Sequence, residues 1–213
     1  MADRCVAASV SGFVQQLAVG YVARGYYFYV CGKIPEAKDP VRTDEKIIAQ
    51  YGIGISKWSR ARRKEGGLAN VQYLRYGRFF VIIANHGAQP FFAAEASRLR
   101  DIRRAPLPFM GYSVGCRRSR HEGGYHASVR IRQATYRDLK ARFEKRALPR
   151  SVEELCRELR AIPYEPYAPV RDQLRGIVRA INRRRAKGGC EPVPMSALRR
   201  TRMPVKPFAP SQG

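Results

Sequence analysis

Apolar residues recur along the chain at two spacings, three to four residues and two, and the switches between them mark its elements. Residues Val6–Val22 are rich in apolar side chains interrupted by Gln15 and Gln16, and Gln15–Arg24 predicts a short amphipathic helix stopped at Gly25. The run Tyr26-Tyr27-Phe28-Tyr29-Val30-Cys31 follows, aromatic or β-branched nearly throughout. It predicts a strand, and its lack of polar residues places it centrally in a sheet. Its four consecutive aromatics point in pairs to opposite faces, so one pair belongs to the core and the other is a candidate platform for stacking bases.

Asp39-Pro40 supplies an N-cap and a proline at the first helical position, and Gly52 closes the helix Pro40–Tyr51. Asp44-Glu45-Lys46 within it reads as surface charge. Ser56 is a second N-cap, opening Lys57-Trp58-Ser59-Arg60-Ala61-Arg62-Arg63-Lys64, which Gly66-Gly67 ends. Two short helices joined by a brief turn, the second basic, outline a helix-turn-helix with Trp58 as the apolar anchor against the first helix. Val71–Tyr76 and Arg78–Asn85 read as extended, with Gly77 as a bend or bulge inside one long strand. Pro90 opens a helix to about Arg104, ended by Pro106 and Pro108. Gly111–Arg118 and Tyr125–Arg132 predict a hairpin in which apolar Val129 and Ile131 alternate with Arg130 and Arg132.

The C-terminal third reads as helical. Thr135 caps a segment carrying Tyr136, Leu139, Phe143 and Ala147 on one face, and Ser151-Val152-Glu153-Glu154 is a capping box before Leu155, Leu159 and Ile162. Pro163, Pro166 and Pro169 form a rigid connection. A last helix, Val170 to about Lys187, turns Val170, Leu174, Ile177, Val178 and Ile181 inward and carries arginines on its other faces. Beyond Gly188-Gly189 the chain is proline-rich and basic, the composition of an arm without regular structure. The whole predicts an α+β fold: a mixed or antiparallel sheet of four or five strands with packed helices and a helical, basic C-terminal part. An α/β sheet of mixed strand direction is the alternative. The expected division is 1–133 as the α+β core, 134–188 as the helical region and 189–213 as the tail.

Charge narrows the function classes. The 213 residues hold 41 Lys+Arg against 17 Asp+Glu, a formal net charge of +24, and 32 of the 41 are arginine. Such an excess repels itself unless an anionic partner shares the surface, and a polyphosphate answers it best because bound cations displace condensed counterions. Arginine grips phosphate through a planar fork and can stack on bases. Codon usage of a GC-rich genome would also favour arginine over lysine, but it does not account for the shortage of acids. No stretch approaches the roughly 20 continuous apolar residues of a membrane span, and the N-terminus lacks the layout of a secretory signal. Five scattered cysteines, Cys5, Cys31, Cys116, Cys156 and Cys190, do not suit a disulfide framework and point to a reducing cytoplasm.

Three segments are candidate nucleic-acid contacts: the basic helix with Lys57, Arg60, Arg62, Arg63 and Lys64; the hairpin with Arg117, Arg118, Arg120, Arg130 and Arg132; and the last helix and its tail, Arg171 to Lys206, with Arg171, Arg175, Arg179, Arg183, Arg184 and Arg185. Signals of catalysis are thin. Glu36-Ala37-Lys38 resembles the second half of a restriction-type metal motif, without the preceding Asp. His86 ends an apolar strand, where an acid, base or ligand often sits. Cys116, His121 and His126 have part of the spacing of a zinc knuckle and lack its opening cysteine pair. No phosphate-binding loop of the Walker type is present. The sequence therefore leads to a cytoplasmic nucleic-acid-binding protein that takes DNA or RNA, with no membrane and no cofactor, within a mobile element or a ribonucleoprotein with protein partners. Two alternatives stay open: a magnesium-dependent nuclease or strand transferase using Glu36, Lys38 or His86, and a structural subunit of an RNA assembly.

Overall fold

A computed structural model describes residues 5–119 and 123–208. The fold is α+β, with seven α-helices and two antiparallel sheets of four and three strands among the described residues. The chain divides into two compact units. The first comprises 1–107, 114–127 and 204–213; the second comprises 108–113 and 128–203.

The first unit is built on a sheet of β1 (Phe28–Lys33), β2 (Val71–Tyr76), β3 (Phe79–Ala84) and β4 (Arg100–Asp101), in the order β2-β3-β1-β4. Aromatic β1 is interior as its composition predicts, paired with β3 from Phe28↔Ala84 to Lys33↔Phe79 and with β4 on its other side. One face carries Val30, Ile82, Val71 and Tyr73, packed with Tyr51 and Ile53 from around α2 (Pro40–Tyr51) and Phe91 of α4 (Pro90–Ala94). The other carries Tyr29, Leu74, Val81 and Ile83, all buried, and Phe79 meets Phe13 of the N-terminal helix there at 5.8 Å. That helix begins at Val10, earlier than expected. It runs as α1 (Val10–Gln15), a π-helical stretch (Gln16–Tyr21) and a short 3-10 turn to Arg24, ending at Gly25 with φ 91°.

Side-chain hydrogen bonds explain several boundaries. Asp39 caps α2 by accepting from Arg42 N–H, and Ser56 caps α3 (Lys57–Glu65) by accepting from Ser59 N–H, as expected from their residue types. Gly77 is neither a bend nor a bulge. It takes φ 56° as the first of two residues linking Tyr76 to Phe79, the position where a tight hairpin turn needs glycine, so two strands replace one. The helix expected from Pro90 to Arg104 stops at Ala94. Beyond it Arg100 and Asp101 pair with β1, Ile102 N–H donates to Tyr27 O at 2.8 Å, and the fully buried Ile102 fixes the extended path. Edge pairing and apolar burial here outweigh helix propensity.

Asp44, expected as surface charge, is 2% exposed and anchors α2 to β2. It accepts from Tyr73 Oη at 2.5 Å and from Arg75 Nε at 2.8 Å, and Arg75 Nη2 completes a bidentate pair at 2.8 Å. Burial, then this bond to a carboxylate, drives the Tyr73 phenol far above its ordinary value.

The second unit is a helical packing of α5 (Gln133–Arg146), α6 (Val152–Arg160) and α7 (Ala168–Lys187), joined by one end of the second sheet. That sheet is β5 (Leu107–Phe109), β6 (Tyr112–Arg118) and β7 (Tyr125–Ile131), and the chain passes between the units within β6 and β7. Thr135 is not a cap: α5 starts two residues earlier, with Arg132 flanking it. The capping box at Ser151 and Glu154 forms in full. Val170, Leu174, Ile177, Val178 and Ile181 face the core with Phe143, Leu155 and Leu159. Tyr136 rests on α7 so closely that a Cβ on Gly176 would lie 2.6 Å from its hydroxyl.

The segment after Gly189 is not a free arm. Val193, Ala197 and Leu198 are buried in the second unit, and Asn182 both donates to Val193 O and accepts from Val193 N–H. Residues 204–208 belong to the first unit, where Gln15 holds the peptide of Val205 in the same two-way fashion.

Removing the Asp44 carboxylate strands Arg75 in the interior. Asp44→Ala is expected to lower unfolding free energy by about 3–5 kcal/mol, whereas Glu45→Ala, at an exposed position on the same helix, stays within about 0.5 kcal/mol. Urea denaturation of the two variants beside the parent checks this.

Candidate nucleic-acid interface

Helix α3 has nine residues and none of them is buried. Its inner side is polar. Arg60 donates to Ile55 O at 2.7 Å, Arg63 donates to Ala69 O at 3.1 Å, and Asn70 Nδ2 donates to Arg60 O at 2.9 Å. Hydrogen bonds to the flanking chain therefore hold the helix. Trp58 is not the expected anchor: it is 81% exposed, so the apolar contact of a helix-turn-helix is missing. At about 25 cal/mol per Å² and 150–250 Å² for an aromatic, leaving the residue 81% exposed to water forgoes about 3–5 kcal/mol. The helical period sets Trp58 and Arg62 one turn apart on the side opposite Arg60 and Arg63, with Lys57 and Lys64 along one edge. Arg60 and Arg63 thus serve the fold, while Lys57, Arg62 and Lys64 stand in solvent. Among the described residues no carboxylate pairs with these three.

Two cavities adjoin this region of the first unit. One of about 500 Å³ opens at the start of α3, where Arg24 joins Lys57 and Arg60 beside Tyr21, Tyr26 and Gln72. Another, of about 660 Å³, lies between α2 and the sheet and gathers Lys38, Arg42, Lys46 and Arg98 with Asp39 and Glu95. Arg24, Arg42 and Arg98 were not singled out from the sequence, and Lys46 was read only as surface charge. The four-residue spacing of Arg42 and Lys46 on one capped helix was the available signal.

The described arginines of the hairpin belong to different units. Ser119 N–H donates to Gly124 O at 2.6 Å, and Arg132 N–H donates to Gly111 O at 2.7 Å. Arg117 and Arg118 therefore sit by the loop in the first unit, while Arg130 and Arg132 lie at the other end of the ladder in the second. Arg120 and His121 lie outside the described residues.

On α7 the core-facing residues leave an opposite stripe of Arg175, Arg179 and Arg183, one turn apart and exposed. Arg175 pairs with Asp172 at 3.0 Å, and Arg171 reaches the carbonyls of Pro166 and Arg200. Arg184 is exposed off this stripe. Arg185 does not face a ligand: it is 5% exposed and donates to the carbonyls of Ala147 at 2.7 Å, Arg150 at 2.8 Å and Glu191. A buried guanidinium donating to three carbonyls is a structural clamp.

The aromatic run of β1 meets protein partners. Tyr29 is fully buried. Tyr27, Phe28 and Tyr125 surround the Arg103 guanidinium, whose carbon lies 4.7, 5.6 and 5.4 Å from their ring centres. Arg103 is fixed by two-pronged hydrogen bonds to Asp101 at 2.7–3.1 Å. Burial alone would raise the Asp101 carboxyl; the bonds from Arg103 outweigh it and hold the group below its ordinary 3.8.

The catalytic candidates are far apart. Glu36 pairs with Arg78 at 2.9 Å in the turn after β1, with Lys38 two residues on. His86 packs edge-on against Phe28 at 4.7 Å. Because β1 and β3 run antiparallel, these two places lie at opposite ends of a six-residue strand pair, roughly 17–20 Å. Among the described residues no group of three His, Cys, Asp or Glu side chains is arranged to hold a metal ion, and no helix is long and apolar enough to cross a membrane. No family model, curated protein or solved structure matches the chain.

The Arg103 cluster yields a pH signature. A carboxyl depressed in the fold contributes stability above its unfolded value and loses it as pH falls through the folded value. The excess stability of the parent over Asp101→Asn should be full above the ordinary carboxyl value of 3.8 and shrink as the pH falls below it. Urea midpoints on both sides of that value measure it, and a difference independent of pH would remove the carboxylate from the account.

Proposed function

We propose that this protein binds nucleic acid through the phosphate backbone. Lys57, Arg62 and Lys64 of α3 form the leading contact, and the Arg175, Arg179 and Arg183 stripe of α7 forms a separate contact in the other unit. The observation that carries this reading is α3 itself. It contributes no apolar burial, is tethered only by polar bonds, and turns three uncompensated cations and a tryptophan to solvent. A helix that adds so little to the core is a poor investment for stability alone, and its chemistry complements a chain of phosphates. The net charge of +24 supports the same partner. Hydrogen bonds to phosphate oxygens carry no sequence information, so the binding expected from these contacts is tolerant of sequence.

Fluorescence anisotropy of a labelled 20-nucleotide single strand and its matched duplex, between about 50 and 200 mM salt, tests this. Six phosphate contacts on a single strand give a slope of log affinity against log salt of about −4, and Lys57→Gln/Arg62→Gln/Lys64→Gln reduces its magnitude by about 2. Equal affinity for polyglutamate, or binding insensitive to salt, would overturn the proposal.

A further inference from the structure

Trp58 is the most exposed of the large apolar side chains among the described residues, and it is the sole tryptophan of the chain. Its surroundings are cationic. Arg62 lies one helical turn away on the same side, and Lys57 precedes it. Other aromatics suited to stacking are already engaged: Tyr27 and Phe28 by Arg103 and His86, and Tyr125 by Tyr27 and Arg103. Trp58 therefore offers a large open π-face beside groups that hold phosphate.

We infer that Trp58 stacks on an unpaired base of a single-stranded nucleic acid whose backbone is held by Lys57 and Arg62. This inference rests on the nucleic-acid reading above and adds to it the strand type and the residue that selects it. In a duplex the base faces are covered by their neighbours, so a ring standing on a helix surface gains from a base only where the strand is single or opened. Stacking tolerates any sequence because every base has a π-face. Charge alone would equally suit an anionic lipid surface. A helix lying in a bilayer interface, however, needs a continuous apolar side, and α3 supplies only Trp58 and Ala61 among its nine residues.

Because Trp58 is unique, its fluorescence in the full-length protein reports this position alone. The probe is an unlabelled 20-nucleotide thymidine strand, compared with a matched duplex and with vesicles of anionic phospholipid. Single strand is expected to quench the emission in step with binding, and the duplex to quench it far less. In the anisotropy assay Trp58→Ala should weaken single-strand binding about 5- to 150-fold. Trp58→Phe should retain most of the affinity, and thermal unfolding should be nearly unchanged for a side chain this exposed. Binding with unaltered emission and an unaffected Trp58→Ala variant would overturn the stacking inference while leaving the phosphate-binding function intact. Equal quenching by single strand and duplex would overturn the assignment to an unpaired base, and a response to vesicles alone would give the ring to lipid. Absence of binding to any nucleic acid would remove both readings together.

Discussion

Mutual repulsion among an excess of 24 positive charges is the constraint within which this fold is arranged. Carboxylates are scarce, and three in the first unit are placed where a guanidinium would otherwise be stranded or mobile. Asp44 meets Arg75 inside the α2–sheet layer, Asp101 fixes Arg103 among aromatic rings, and Glu95 binds both Tyr51 and Arg98. In the second unit the buried Arg185 guanidinium donates instead to three carbonyl oxygens. Committing acids to these pairs leaves Lys57, Arg62 and Lys64 of α3 and Arg179 and Arg183 of α7 without a partner carboxylate among the described residues. The uncompensated surface and the buried ion pairs are two sides of one distribution.

A second regularity concerns carboxamides. Gln15, Gln173 and Asn182 each donate to and accept from the peptide of a single distant residue: Val205, Ile131 and Val193 respectively. Each works as a one-residue strand, satisfying backbone groups of an irregular segment at Val205 and Val193 and of the edge strand β7 at Ile131. Two of these segments lie in the proline-rich C-terminal stretch. Such segments stay in place without regular secondary structure because helices supply the missing ladder.

What the sequence revealed and what it hid divide along the range of the forces involved. The bounds of α2, α3 and α6 were legible because their caps act within three residues: Asp39 on Arg42, Ser56 on Ser59, Ser151 on Glu154. The inward face of α7 was legible from its period. Where a remote partner decides, the reading failed. Asp44 looked like surface charge because Arg75 is 31 positions away, and Arg185 resembled its solvent-facing neighbours until Ala147 and Arg150 were seen beneath it. Trp58 looked like an anchor because tryptophan usually is one; only the tertiary arrangement shows nothing packed on it. Which arginines of the candidate interface point outward depended on whether a nearby carbonyl had claimed them, as with Arg60 and Arg63.

The return of residues 204–208 to the first unit bears on how the molecule comes into being. Val205 is held by Gln15, Pro207 O accepts from Ala8 N–H, and Phe208 bridges Ala7. During synthesis the N-terminal helix and sheet emerge first, yet the strap that seats against them is translated only after the whole second unit. The first unit therefore makes the contacts of Gln15 with Val205 and of Ala8 with Pro207 only after the last helices have been translated. Its assembly is thereby coupled to completion of the other unit in time as well as in sequence.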